Sequence, residues 1–276
     1  VDKIFIGIFW TEYQVGLYFG VQRIALFIGT MALAIEGMLL PAISKLHTNK
    51  KENEIKTLVY DAERYVAMVC IPLVLMTIIW SSEIILVFIS KEFLPASNIL
   101  KILALVALIK VLNRPWSVAL RGSDRPGLTS ILSILSSILS IILMLVFVPK
   151  RIPQLGMENL FGLGGEGAAY AVLISEIVVG LSLRILCYKC LKILTKSNFF
   201  VQVFVAVFVG IVMWQLQETI IVDRWFELIF FSGFGGLLFI SILSTLGAFT
   251  QKDFNFFWNT LNPKSMKKYV GDELRR

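Results

Sequence analysis

The sequence predicts an all-α, polytopic membrane helix bundle of about eight spans, and three observations carry that prediction. Of the 276 residues, 57% are hydrophobic and only 16% charged, with a mean hydropathy of +0.79, too apolar for a soluble fold whose surface must carry polar groups. The apolar residues fall in blocks of about 18 to 25, the length at which a helix rising about 1.5 Å per residue crosses a hydrocarbon core of roughly 30 Å. Strand-like alternation is absent, so a transmembrane barrel is not expected.

Taken in order, the spans are expected at Ile4–Trp10, Gly16–Ser44, Ala62–Trp80, Ser97–Leu112, Gly127–Val148, Ala168–Cys187, Phe199–Leu216 and Phe226–Phe249. The first is truncated: it would cover under half the core, and the chain opens on Val1 instead of Met. An upstream half of this helix is therefore expected, and the chain reads as the later part of a larger protein.

Basic residues set the orientation. Lys45, Lys50, Lys51, Lys56 and Arg64 fall in one loop, Lys110, Arg114, Arg121 and Arg125 in a second, and Arg184, Lys189, Lys192 and Lys196 in a third, whereas the intervening loops hold only Lys91, Lys150, Arg151 and Arg224. The positive-inside rule makes the first set cytoplasmic, together with the C-terminus. The chain divides into a membrane-embedded lobe, 1–250, and a basic cytoplasmic tail, 251–276, whose Lys264, Lys267, Lys268, Arg275 and Arg276 can touch anionic lipid headgroups. This distribution accounts for the net charge of +7 without invoking nucleic acid as a partner.

Several chemical motifs fail on context. Gly162, Gly164 and Gly167 fit a dinucleotide-binding spacing, but no strand precedes them. The segment reads instead as a glycine loop feeding a helix whose small residues allow close packing. Cys187 and Cys190 lack a second pair or a nearby histidine, and His47 is the only histidine, so neither a zinc site nor a histidine triad can be assembled. The outer acids Glu83, Glu92, Glu158, Glu166 and Glu218 are scattered. The expectation is a protein that is not an enzyme and has no cofactor or metal.

Polar residues inside the spans are more informative, because a charge near the centre of a membrane helix costs about 2.5 to 3.5 kcal/mol on insertion scales and tends to mark a cavity, a partner or a substrate. Tyr18, Gln22, Ala25, Gly29, Ala32 and Glu36 lie within about 40° of one line on a helical wheel. Arg23 projects nearly opposite Glu36, so the two need different partners. Glu176 shares a face with Ala169, Gly180 and Cys187, where a carboxylate can serve as a polar contact or proton site. Ser130, Ser133, Ser137 and Ser140 form a second stripe, whose hydroxyls either pack helix to helix, the favoured reading, or line a wet passage. Lys101 is close enough to the outer end to snorkel, and Pro72 should kink its span.

Motif order adds a resemblance. Val1-Asp-Lys-Ile-Phe-Ile-Gly-Ile-Phe9, Val15-Gly-Leu-Tyr18, Leu40-Pro-Ala-Ile-Ser44, Lys91-Glu-Phe-Leu-Pro-Ala96, Leu120-Arg-Gly-Ser-Asp-Arg-Pro126 and Gly164-Gly-Glu-Gly-Ala-Ala169 running to Glu176 follow one another in register. Over about 1–191 the chain thereby resembles the C-terminal lobe of polysaccharide and lipid-linked oligosaccharide flippases, in the multidrug, oligosaccharidyl-lipid and polysaccharide exporter superfamily. Ser90 departs from the glycine many relatives carry there.

That resemblance implies a two-lobe protein with its N-terminal lobe missing from this chain, embedded in the cytoplasmic membrane and working by alternating access. It further implies a polyprenyl-linked oligosaccharide as substrate, held by its diphosphate in a cavity lined by the opening helices. The substrate-binding candidates are then Lys3, Arg23, Gln22 and Tyr18, with Lys3 or Arg23 on the pyrophosphate. Asp2, Glu36 and Glu176 are the candidates for ion coupling or polar contact. Two alternatives stay open: a small-molecule or multidrug exporter of the same superfamily, or a non-transporting membrane scaffold if the chain is complete.

Overall fold

The structure, a computed structural model, describes residues 2–152, 159–194, 198–219, 224–251 and 253–254, without the side chains of residues 31–35 and 198–199. Glu158, Lys196 and the basic tail beyond residue 254 lie outside the described residues, as does the side chain of Ala32. The helices are α1 (Asp2–Phe9), α2 (Glu12–Thr48), α3 (Glu52–Ile79), α4 (Ser81–Phe88), a 3-10 turn (Lys91–Ala96), α5 (Ser97–Gly122), α6 (Pro126–Phe147), α7 (Gly164–Leu191), α8 (Asn198–Thr219) and α9 (Trp225–Thr245). Among the described residues there is no strand.

Among the described residues, six segments are long and apolar enough to cross a membrane: Glu52–Ile79, Lys91–Gly122, Pro126–Phe147, Gly164–Leu191, Phe200–Thr219 and Trp225–Thr245. The chain is a multi-pass membrane protein. Two boundaries differ from the sequence reading in a way that matters. The span expected to stop at Leu112 continues to Gly122 through Pro115, so Arg114 and Arg121 stand in a helix and not in a loop, on the same helix as Lys110. Lys, Arg, Leu and Ala are all good helix formers, and the charges that argued for a loop are neutralised by residues of other helices. Likewise α3 begins at Glu52, ten residues before the expected Ala62, with Glu52 and Glu54 in its first turn, where carboxylates favour the positive end of the helix dipole.

The bundle is built around α5. It packs against α2, α3 and α7, while α6 lies on α7, and α8 and α9 pack on α3 and on each other. Ile6, Leu17, Val21, Leu100, Ala168 and Ala169 share one apolar cluster at the α1, α2, α5 and α7 junction. Trp80, Val209, Met213 and Phe239 anchor another that joins α3 to α8 and α9.

Glycine sets the closest approaches. A Cβ at Gly167 would stand 2.6 Å from the carbonyl oxygen of Phe147, and one at Gly180 would stand 2.5 Å from the Asn113 amide oxygen. The glycine segment before α7 thus feeds close packing, and Gly162 and Gly164 turn the chain with φ of 63° and 55°. The serines of α6 correct the sequence reading. Ser130, Ser133 and Ser137 are exposed and return their hydroxyls to the carbonyls of Pro126, Thr129 and Ser133 at 3.2, 2.9 and 2.9 Å, so they satisfy themselves locally instead of packing helix to helix.

Candidate functional site

A cavity of about 300 Å³ opens between α1, α2, α5, α6 and α7. Its polar lining comes from five helices: Asp2 from α1, Tyr18 and Gln22 from α2, Lys110 from α5, Ser136, Ser137 and Ser140 from α6, and Ser175 and Glu176 from α7. The rest is small or apolar, including Ala25, Gly29, Val106 and Met144. One helical face of α2, with residues spaced by four and three, presents Tyr18, Gln22, Ala25 and Gly29 together, and α1 brings Asp2 to meet them.

The polar groups pair across the cavity wall. The Tyr18 hydroxyl donates to Asp2 Oδ2 at 2.8 Å, and Gln22 Nε2 donates to the same oxygen at 3.1 Å. Lys110 Nζ lies 3.6 Å from Glu176 Oε1. Asp2 is held to α2 by hydrogen bonds, while Lys110 and Glu176 join α5 to α7 with half of the lysine side chain still open. Such a chamber can take a polar or charged group out of the bilayer without leaving its own polar atoms unmatched.

Of the residues singled out from the sequence, Asp2, Tyr18, Gln22 and Glu176 meet at this cavity. Lys3 and Arg23 do not line it. They converge from α1 and α2 on one ring, with Lys3 Nζ 3.9 Å and the Arg23 guanidinium carbon 4.6 Å from the Phe19 centroid, an arrangement that favours cations over an aromatic face. Phe19 and Arg23 are exposed. Glu36 lies farther along α2, where Arg114 Nη1 and Arg121 Nη2 of α5 donate to its two oxygens, each at 2.7 Å.

Two features escaped the sequence. Lys110 was grouped with the loop cations, although its spacing to Arg114 and Arg121 is helical and a longer span would have exposed it. The second is a buried network: Trp116 Nε1 and Arg184 Nη2 donate to Glu63 Oε1 at 2.9 and 2.7 Å. Arg184 Nη1 also donates to Asn113 Oδ1 at 3.2 Å, and Asn113 Nδ2 donates to the backbone carbonyl of Glu176 at 3.2 Å. This network ties α3, α5 and α7 together directly behind the cavity. Near the end of α9, Arg64 of α3 pairs with Asp253 and donates to the Ala248 carbonyl at 3.1 Å. Cys187 is buried, its thiol donating to the Trp116 carbonyl at 3.4 Å. His47 Nε2 lies 3.8 Å from Asp124.

Comparison with known proteins points the same way as the motifs. Residues 1–98 match a family described as "Polysaccharide biosynthesis protein", a stretch that contains Asp2, Lys3, Tyr18, Gln22, Arg23 and Glu36. The chain is also similar to a probable low-salt glycan biosynthesis flippase, Agl15, of Haloferax volcanii, at 24% identity over 148 residues, which cover 54% of this chain and 31% of that relative. The match spans about a third of the relative's length. Over residues 1–98 the chain is thus similar to the polysaccharide biosynthesis protein family, and over 148 residues it is distantly similar to a probable glycan biosynthesis flippase.

Proposed function

We propose that the chain is the C-terminal lobe of a two-lobe transporter that flips lipid-linked oligosaccharide across the cytoplasmic membrane by alternating access. The observation that carries this reading is the polar cavity itself: Asp2, Tyr18, Gln22, Lys110 and Glu176 drawn from four helices into one chamber within a membrane bundle. These groups offer hydrogen bonds and charge to a passenger.

In this proposal α2, at 37 residues, is a seventh crossing, and α1 is the outer part of an eighth. The N-terminal lobe supplies the facing half of the passage, and the basic tail lies on the cytoplasmic headgroups. Lys3 and Arg23, gathered over Phe19 at the exposed edge of α1 and α2, engage the diphosphate of a polyprenyl-linked oligosaccharide. Tyr18 and Gln22 position the group next to them, and Asp2 and Glu176 take the coupling ion or proton. Glu36 acts as a polar contact to α5.

Translocation of lipid-linked sugar in vesicles tests the assignment. With Lys3→Ala and Arg23→Ala in the two-lobe protein, flipping is expected to stop, while unchanged flipping removes both residues from the site.

A further inference from the structure

From Lys110 to Gly122, α5 is buried at every position except Lys110, Arg114, Ser117 and Arg121. These four stand at i, i+4, i+7 and i+11, on one line of the helix. The only open stripe of this stretch is therefore three cations and a hydroxyl. It starts at the cavity, which Lys110 lines, and ends at the last turn of α5.

Two carboxylates face the three cations: Glu176 of α7 at Lys110, and Glu36 of α2 between Arg114 and Arg121. One carboxylate spread over two guanidiniums uses few of their donors, since each arginine carries five N–H groups. Arg121 Nε is buried with no hydrogen-bond partner, and the Arg114 side chain is 42% exposed.

We infer that this stripe is an anion track, in which a phosphate or diphosphate group displaces Glu36 from Arg114 and Arg121 and advances toward Lys110 and the cavity. The guanidinium fork matches phosphate oxygens as well as it matches a carboxylate, so Glu36 holds the place that the anion takes. The track is separate from Lys3 and Arg23, which sit over Phe19. The inference rests on the transport reading for the destination of the anion, and on the α5 geometry alone for the site.

The test is equilibrium binding of inorganic pyrophosphate to the full chain in phosphatidylcholine nanodiscs, followed by calorimetry. Glu36→Gln removes the competing carboxylate and should tighten binding by about tenfold, within the usual range of coupling between sites. Arg114→Gln with Arg121→Gln should abolish binding, while Lys91→Gln, exposed in the 3-10 turn away from the track, should leave it within about twofold of wild type. If the double arginine variant does not fold, Glu36→Gln with both arginine changes, which strands no charge, is read in its place. Unchanged affinity in folded Glu36→Gln, or binding retained without the two arginines, overturns the track.

Polyprenyl diphosphate added to the nanodiscs separates two sources. Competition with pyrophosphate assigns the lipid headgroup as the ligand, and pyrophosphate binding without competition assigns a soluble anion; both outcomes keep the anion site. Pyrophosphate binding that survives where flipping fails, or fails where flipping survives, tells apart the loss of this inference from the loss of the transport reading.

Discussion

α5 and α6 are consecutive helices, and each can cross a membrane, yet they handle polar atoms in opposite ways. Half of the most apolar window in the α5 segment is buried in the bundle, against 6% for α6. α5 carries Lys101, Lys110, Arg114 and Arg121, whereas α6 carries no charged residue. The enclosed helix can hold charges because α2 and α7 supply carboxylates to meet them. The bare helix leaves most of its surface outside the bundle, and Ser130, Ser133 and Ser137 fold their hydroxyls back onto its own carbonyls. A polar atom in the bilayer must be matched, and what distinguishes the two helices is whether the match is tertiary or local.

The sharpest way to break that comparison is to strand a charge behind α5. Glu63→Ala removes the buried carboxylate that accepts from Trp116 and Arg184, leaving a partly buried guanidinium without its counter-ion, and should cost about 3 kcal/mol, the low end for a broken buried pair. Unfolding in detergent micelles measures it, and pairing the change with Arg184→Met should restore much of the loss. Placing a charge on α6 tests the other side. Leu135→Arg, on the exposed face of α6, should reduce membrane insertion by about 2.5 to 3.5 kcal/mol, read from an in vitro insertion assay.

Smaller effects sharpen the contrast. Gly180→Ala would press a Cβ against the Asn113 amide oxygen at 2.5 Å, forcing α5 and α7 apart at a cost of about 1 to 3 kcal/mol, visible as a lowered unfolding midpoint. Ser133→Ala on α6 should shift the same midpoint by no more than about 0.5 kcal/mol, because its hydroxyl is exposed and bonds only its own helix.

Much of the bundle is legible along the chain because membrane spans announce themselves by length and hydropathy, as α6, α7, α8 and α9 do. The reading failed where a helix carries charge. Arg114 and Arg121 looked like the start of a loop, and only the approach of Glu36 from α2 makes them compatible with a span. Asp2, Tyr18, Gln22 and Glu176 were visible as misplaced polar residues. Their convergence on one cavity was partly legible, since Tyr18 and Gln22 share a helical face, but the partnership of Asp2 with that face was not.

The amino-acid sequence by itself determined the membrane class, the all-α architecture and the identity of the polar residues that a bilayer would otherwise exclude, since these follow from composition and local periodicity. Tertiary structure alone decided which carboxylate meets which cation: Glu36 with Arg114 and Arg121, Glu176 with Lys110, and Glu63 with Arg184. The physical reason is that a side chain's charge is a local property, whereas its neutralisation depends on residues tens of positions away that helix packing brings within a few ångströms.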